Sequence, residues 1–293
     1  MRSQKTIPVL LLIISVLLST GISSAKETAC KSSKKQKVEA YITTADRSML
    51  FEKISLKLKT KQDSKARIQL HPDESFQQID GFGVAITGST CYNLLRMTKE
   101  NRAALLIETF HPIKGMGYSE IRIAIGCSDF SLDEYTCCDE PGIENFAIHE
   151  LDKRDLFPIL REILSINPAI KILASPWTPP RWMKVNNLTD LQPFQSWTSG
   201  QLNPKYYQDY ASYFVKFIQE MKKEGFIIDA VTIQNEPLNR GNSASLYMSW
   251  QEQAEFIKTA LGPQFSAGLS SEYLQRCRSR QIYRWSCLPC LWR

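Results

Sequence analysis

Several things are scarce in this 293-residue sequence, and each scarcity excludes something. The first is positive charge on the body of the chain. The formal net charge is +6, but residues 1–37 carry seven Lys/Arg against Glu27 and residues 266–293 carry five Arg against Glu272. Residues 38–265 are left with a net charge of −4. A nucleic-acid-binding protein needs its excess charge on the folded surface, so a nucleic-acid partner is rejected. The second is a glycine-rich phosphate turn: Gly81-Phe-Gly83 lacks a third glycine and a helix directly behind it, so no strand ends in a dinucleotide-type loop. The third is a long apolar run. Val9–Leu18 is ten residues, against about 20 for a helix that crosses a bilayer, and no stable membrane anchor is expected. Metal-site spacing is also missing: Cys287-Leu-Pro-Cys290 has no second Cys/His pair near it. No metal and no cofactor is expected.

What is present is ordinary for a globular protein, with 43% apolar and 23% charged residues. Arg2 and Lys5 ahead of Val9–Leu18, with Ser23-Ser24-Ala25 behind, form the n-region, h-region and cleavage site of an export signal. Residues 1–25 are therefore expected to direct the chain to the periplasm or outside the cell, and the Lys/Ser-rich segment 26–37 to serve as a linker. Eight cysteines do not by themselves define a disulfide framework in a chain of this length.

From 38 to 78 short alternating segments such as Ala40-Tyr41-Ile42-Thr43 and Ile54-Ser55-Leu56-Lys57-Leu58 predict half-buried strands. From residue 79 the pattern changes to apolar strands (Phe82–Ile86, Ile121–Ile125, Ile170–Ala174, Ala230–Ile233) alternating with amphipathic helices (Lys99–Phe110, Lys153–Ser165, Pro204–Glu224, Trp250–Leu261). Apolar strands alternating with helices predict an α/β fold with a parallel sheet buried on both faces. Connections of about 50 residues and the missing phosphate turn favour a (β/α)8 TIM barrel over a doubly wound sheet. Four strands make about the first half of such a barrel. The Tyr206, Tyr210, Phe214, Phe217, Met221 stripe is assigned to core packing.

Candidate chemistry gathers at the strand ends, where a barrel keeps its active site. Val231-Thr-Ile-Gln-Asn235-Glu236-Pro237 ends a strand in an amide, a carboxylate and a proline that stops further pairing. Such a Glu can protonate a leaving group, or simply cap a helix. Ser175-Pro-Trp177-Thr-Pro-Pro-Arg-Trp182-Met-Lys184 follows another strand, and its tryptophans suit either a sugar platform or a proline-rich turn. Arg122 lies within a third strand that runs into Cys127-Ser-Asp129-Phe-Ser131. A charged guanidinium there is costly unless it meets a carboxylate, so a carboxylate partner is expected.

Gly81-Phe-Gly83, Arg122-Ile-Ala-Ile, Ser128-Asp-Phe-Ser131, Ser175-Pro-Trp-Thr-Pro-Pro-Arg-Trp, Asn235-Glu-Pro and Leu261-Gly-Pro263 occur in the order seen in glycoside hydrolase family 30, and the chain resembles the glucosylceramidase-like members of that family from about residue 38 to 265. The resemblance implies a TIM barrel joined to a small β-sandwich whose first strands come from the N-terminus, and a retaining β-glycosidase acting on a carbohydrate or glycolipid. It implies Glu236 as acid/base, Asn235 as the amide that holds the sugar 2-hydroxyl, and Arg122 as the residue that orients the nucleophile. Trp177, Asp129 and Trp182 are the implied substrate contacts. Gly88 departs from the pattern, because the glucosylceramidase type has a sugar-binding aspartate there, so a glucose-like specificity is less secure.

The resemblance also implies a nucleophilic carboxylate near the seventh barrel strand, and this chain carries none. Residues 266–293, with five Arg and three Cys, resemble nothing in the family. Read one nucleotide later, Gln281–Pro289 can encode K-Y-I-D-G-R-A-F-H, close to the family's K-Y-x-x-G-x-A-x-H. This tail is therefore expected to be out of frame, the alternative being a naturally short protein with a divergent end. On this reading the 293-residue chain is inactive and exposes sheet edges that favour non-specific association. A catalytically inactive carbohydrate-binding protein is the competing function.

Overall fold

The structure, a computed structural model, describes residues 37–57 and 68–269. The expected export signal (1–25), all of the linker but Lys37, and the tail beyond Leu269 lie outside the described residues, as do Cys30, Cys277, Cys287 and Cys290. The chain divides into two compact units, up to Phe76 and from Gln77.

The first unit holds an antiparallel ribbon of β1 (Lys37–Ile42) and β2 (Glu52–Lys57), paired from Lys37↔Lys57 to Ile42↔Glu52. The expected alternation is present, with Ala40, Ile42 and Ile54 on one face. The ribbon is less buried than predicted, however: most of its residues are exposed, Tyr41 by 52% and Leu56 by 46%. A two-stranded ribbon has too little surface to bury a face by itself.

The second unit is built on a four-stranded sheet: β3 (Gly83–Ala85), β4 (Glu120–Ile125), β5 (Lys171–Pro176) and, later in the chain, β8 (Ile228–Val231). All its pairings are parallel. Each strand pairs with its predecessor in this series and the order never reverses. A doubly wound sheet would show a reversal at its switch point, so the topology is that of consecutive barrel strands. At Gly83 an added Cβ would collide with the Glu120 carbonyl of β4. Close strand approach, not phosphate binding, accounts for this glycine. An excursion between β5 and β8 forms a small antiparallel hairpin, β6 (Lys184–Val185) with β7 (Gln201–Leu202).

Helices cover the outer face. α1 (Gly88–Arg96) is capped by Thr87, α2 (Lys99–Phe110) by Thr98, and α5 (Trp250–Phe256) by a capping box of Ser249 and Glu252. α3 (Phe157–Ile166) is entered through a π-turn at Asp152–Leu156, and α4 (Tyr207–Lys223) through a 3-10 turn at Pro204–Tyr206. A second π-turn joins α5 to α6 (Gly262–Gly268). Ile121, Ile123 and Ile125 of β4, 1–2% exposed, share one buried core with Ile159, Leu160 and Ile163 of α3 and Tyr210, Phe214, Phe217 and Met221 of α4. Burying each such side chain stabilises by roughly 1.5–3 kcal/mol. Arg102 of α2 joins Glu162 of α3 at 2.9 Å.

Glu120 and Arg122, which alternate with those isoleucines, face inward with Lys171 and Leu173 of β5. Together with Gly83 and Ala85 they line an open trough of about 580 Å³. Glu120 and Lys171 pair across it at 3.4 Å.

Candidate active site

The sheet's last strand ends two residues earlier than the sequence predicts. The register shifts between Ile172 and Leu173, and the Ile172 amide donates to the Asp229 carboxylate at 3.0 Å. Beyond Val231 the chain still follows β5: the Thr232 amide donates to the Ala174 carbonyl at 3.0 Å and the Asn235 amide to the Pro176 carbonyl at 2.8 Å. Asn235 and Glu236 are thus held at the C-terminal rim of the sheet although they lie outside β8 itself.

Arg122 organises this rim. Its Nη2 donates to Ser175 Oγ at 2.9 Å and to Asn235 Oδ1 at 2.8 Å, and its guanidinium lies 4.6 Å from the Trp177 ring centre. The expected carboxylate partner is not among these contacts; neutral oxygens and an aromatic face take its place. Burial lowers the Arg122 pKa from its ordinary value, and the charges of Asp129 and Glu236 oppose that shift. The bond to Arg122 also fixes the Asn235 amide. With Oδ1 engaged, Nδ2 remains as the donor available to a ligand.

Glu236 is exposed and stands at φ +42°, in the left-handed region. That conformation costs a non-glycine residue roughly 1–2 kcal/mol, and such strain concentrates at functional sites. Its Oε2 accepts from Asn239 Nδ2 and from Asn242 Nδ2, each at 2.8 Å. Asn242 also reaches Asp129 Oδ2 at 3.4 Å, so one amide links the two carboxylates. Asp129 sits in a Ser128–Ser131 turn that rests on α1, where Ser89 donates to the Phe130 carbonyl through N and Oγ at 2.9 and 2.7 Å. A Cβ at Gly88 would come within 3.3 Å of Ser131 Cα. The glycine therefore gives the turn its seat, and an aspartate there would push against it.

Trp177 is only 7% exposed, packed with Cys127, Tyr135 and Ala244. Its indole N–H has no partner among the described residues, and neither has Gln234 Oε1. Gln234 holds the segment in place, with Nε2 on the Trp177 carbonyl at 2.6 Å. Trp182 is not brought into this group. Its indole N–H donates to the Cys138 carbonyl at 2.8 Å, and its ring meets Tyr206 edge-on at 5.0 Å, against the main core. The structure thus gathers Arg122, Asn235, Glu236, Asp129 and Trp177, and adds Ser175, Asn239 and Asn242. The polar Asn239-Arg-Gly-Asn242 run directly after Glu236 is the signal that marks the last two. Among the described residues no group of three or more His/Cys/Asp/Glu could hold a metal ion, and the cysteines Cys91, Cys127, Cys137 and Cys138 are buried free thiols.

The family model for the glycosyl hydrolase family 30 TIM-barrel domain matches residues 79–275. The chain belongs to glycosyl hydrolase family 30. The match runs past residue 265, where the sequence reading ends the domain. The chain is 32% identical over 209 residues to the lysosomal acid glucosylceramidase of Mus musculus, covering 67% of this chain and 39% of that protein. It is 32% identical over 215 residues to an endo-1,6-β-D-glucanase of Neurospora crassa, covering 71% and 44%. Among solved structures, an endo-β1,6-glucanase superposes with a TM-score of 0.69 at 59% identity, over 78% of this chain and 49% of that one. SrfJ from Salmonella typhimurium superposes at 0.67 with 26% identity, over 79% and 50%. The chain thus spans about half or less of the length of each of these four.

Proposed function

We propose that this family 30 chain carries the sugar-binding and acid/base part of a retaining β-glycosidase site whose substrate is a β-linked glucoside. The carrying observation is the arrangement at the rim: Asn235 with its Nδ2 left free by Arg122, beside Glu236 in a strained backbone at the C-terminal edge of a parallel sheet. In this reading Asn235 Nδ2 donates to the sugar 2-hydroxyl and Glu236 delivers a proton to the glycosidic oxygen. Asp129 and the unpartnered Trp177 N–H bind further hydroxyls. An unpaired buried donor costs about 1–3 kcal/mol, which a bound hydroxyl offsets.

Between the substrates named for the relatives, a β-1,6-glucan is favoured over glucosylceramide. The solved endo-β1,6-glucanase shares 59% identity, and Gly88 removes the aspartate expected of the glucosylceramidase type. Retention needs a second carboxylate roughly 5 Å from the first. We assign it to barrel strands beyond β8, so the 293-residue chain should bind but not turn over. Export through residues 1–25 belongs to the same proposal, since it would bring the site to extracytoplasmic polysaccharide.

Calorimetric titration with a β-1,6-linked glucotriose tests this reading. The chain should bind it, Asn235→Ala should weaken binding at least about tenfold through loss of one well-placed hydrogen bond, and β-1,6-glucan should remain uncleaved. Absence of binding would refute the sugar site, and cleavage by this chain would refute the external nucleophile.

A further inference from the structure

Lys184 has no part in the chemistry above, yet it is one of the most completely enclosed side chains of the protein, at 1% exposed. Its ammonium donates to the Ser196 carbonyl at 2.7 Å, the Ser245 carbonyl at 3.0 Å and Thr178 Oγ1 at 3.3 Å, with the Trp197 carbonyl at 3.4 Å. The acceptors lie on three segments that are distant in sequence: the turn after β5, the connection from β6 to β7, and the loop after β8. Thr178 Oγ1 donates onward to the Pro179 carbonyl at 3.0 Å, which leaves its lone pairs for the lysine. None of the partners is a carboxylate. Burial pushes the ammonium down to about 7, with Cys127 opposing the shift and Arg181 adding to it. A buried cation without a counter-ion needs its donors matched, and the three N–H groups are met here by four oxygens.

The loop that Lys184 grips is the one that touches Glu236. Its neck is closed by the Met248 amide on the Pro237 carbonyl at 2.7 Å. The returning leg runs along residues 197–200: the Ser245 amide donates to the Trp197 carbonyl at 2.9 Å, the Tyr247 amide to the Gly200 carbonyl at 2.9 Å, and the Ser199 amide to Ser245 Oγ at 2.8 Å. The outgoing leg carries Asn239 and Asn242. Among the described residues, the bonds from those two side chains that leave the loop end on Glu236 and Asp129. Gly200 completes the enclosure, because a Cβ there would stand 3.1 Å from Lys184 Cε.

We propose that Lys184 is a positioning residue for Glu236: by anchoring residues 237–248 from beneath, it sets where Asn239 and Asn242 meet the carboxylate. The effect passes through the loop, so Lys184 itself touches no substrate. The assignment of Glu236 as acid/base gives this its functional meaning, but the geometry can be tested without any sugar.

The test compares the side-chain amide NMR signals of Asn239 and Asn242 in the unmodified 293-residue chain, Lys184→Met and Glu236→Gln. Methionine replaces the aliphatic stem without the donors. In Lys184→Met both amide pairs should move toward the positions of a free asparagine, while the methyl signals of Ile121 and Ile123 stay in place. Lys184→Gln, which keeps a donor, should recover part of the displacement. If the chain binds β-1,6-linked glucotriose, Lys184→Met and Asn242→Ala should each weaken binding and the double variant should match Asn242→Ala within about twofold, since coupled residues are not additive. Unchanged asparagine signals in a folded Lys184→Met would overturn the proposal whatever the sugar experiment shows. Should Lys184→Met not fold, Lys184→Gln is read in its place, since it keeps at most two of the donors on a shorter stem, and unchanged asparagine signals in a folded Lys184→Gln would overturn the proposal equally.

Discussion

Asp152 offers a stability test with a sign that can be worked out in advance. It opens the π-turn before α3, 7% exposed, and its Oδ1 accepts from the Tyr135 hydroxyl at 2.7 Å. A cavity of about 20 Å³, the size of a single water, borders it together with Asp155, Thr87 and the end of β4. Burial pushes the Asp152 carboxyl up to about 7, the Tyr135 hydrogen bond opposes this and the Asp155 charge adds to it. In the unfolded chain the group ionises at its ordinary 3.8. Between these values the folded protein keeps a proton that the unfolded chain has released. The contribution of this group to stability is therefore full below about pH 4, falls as pH rises toward 7, and is lost above that, a change of roughly 4 kcal/mol. Asp152→Asn keeps the acceptor for Tyr135 and cannot ionise. It should match the unmodified protein at pH 3.5 and gain steadily to pH 8. For a domain of this size 1 kcal/mol moves Tm by about 2–4 °C, so even half the gain amounts to about 4–8 °C. Circular dichroism melts of both proteins from pH 3.5 to 8.5 read this directly. A difference that does not change with pH, or a less stable Asp152→Asn at pH 8, would refute a buried neutral carboxyl.

Two further outcomes follow from the rim. Arg122→Met keeps an apolar contact for Trp177 but releases Asn235 Oδ1, so the amide can turn; glucotriose binding should weaken about tenfold or more while the melting midpoint changes little, and equal binding would show that Asn235 is oriented by something else. Gly126, directly after β4, has φ +79°, and a Cβ there would meet the Tyr135 carbonyl at 3.1 Å. Gly126→Ala should therefore destabilise by about 1–2 kcal/mol, read as a lower urea midpoint at constant slope.

The parts of the fold that repeat were legible in the sequence. β4, α2 and α4 appear within a few residues of their apolar patterns because burial on one or both faces dictates those patterns. α1 did not show: its buried positions are Cys91 and Leu94 alone, too few to make a stripe, and its start depends on the Thr87 cap. The β6–β7 hairpin is two residues long on each side, below what alternation can reveal. At the site, the chemistry-bearing types at strand ends were visible, and Arg122, Asn235 and Glu236 are indeed assembled. What sequence could not decide is which way each side chain is used. Trp177 and Trp182 are five residues apart in one motif, yet one stacks on Arg122 and the other is tied to the Cys138 carbonyl. The cost of burying Arg122 points to a carboxylate but does not name the neutral oxygens of Ser175 and Asn235, which only the folded sheet brings to it.

The unreversed order of β3, β4, β5 and β8 has a consequence for how such a site comes into being. A sheet extended at one edge only can assemble in the direction of synthesis, each strand finding its neighbour already in place, with no need to wait for a distant partner or to insert between strands already paired. The rim groups are then delivered in sequence: the Asp129 turn first, Trp177 next, and Asn235 with Glu236 last. The arginine that orients the amide is waiting on the second strand before the amide has been made. A nascent chain of this kind completes its rim strand by strand, whereas a doubly wound sheet has its crevice only when its two halves meet.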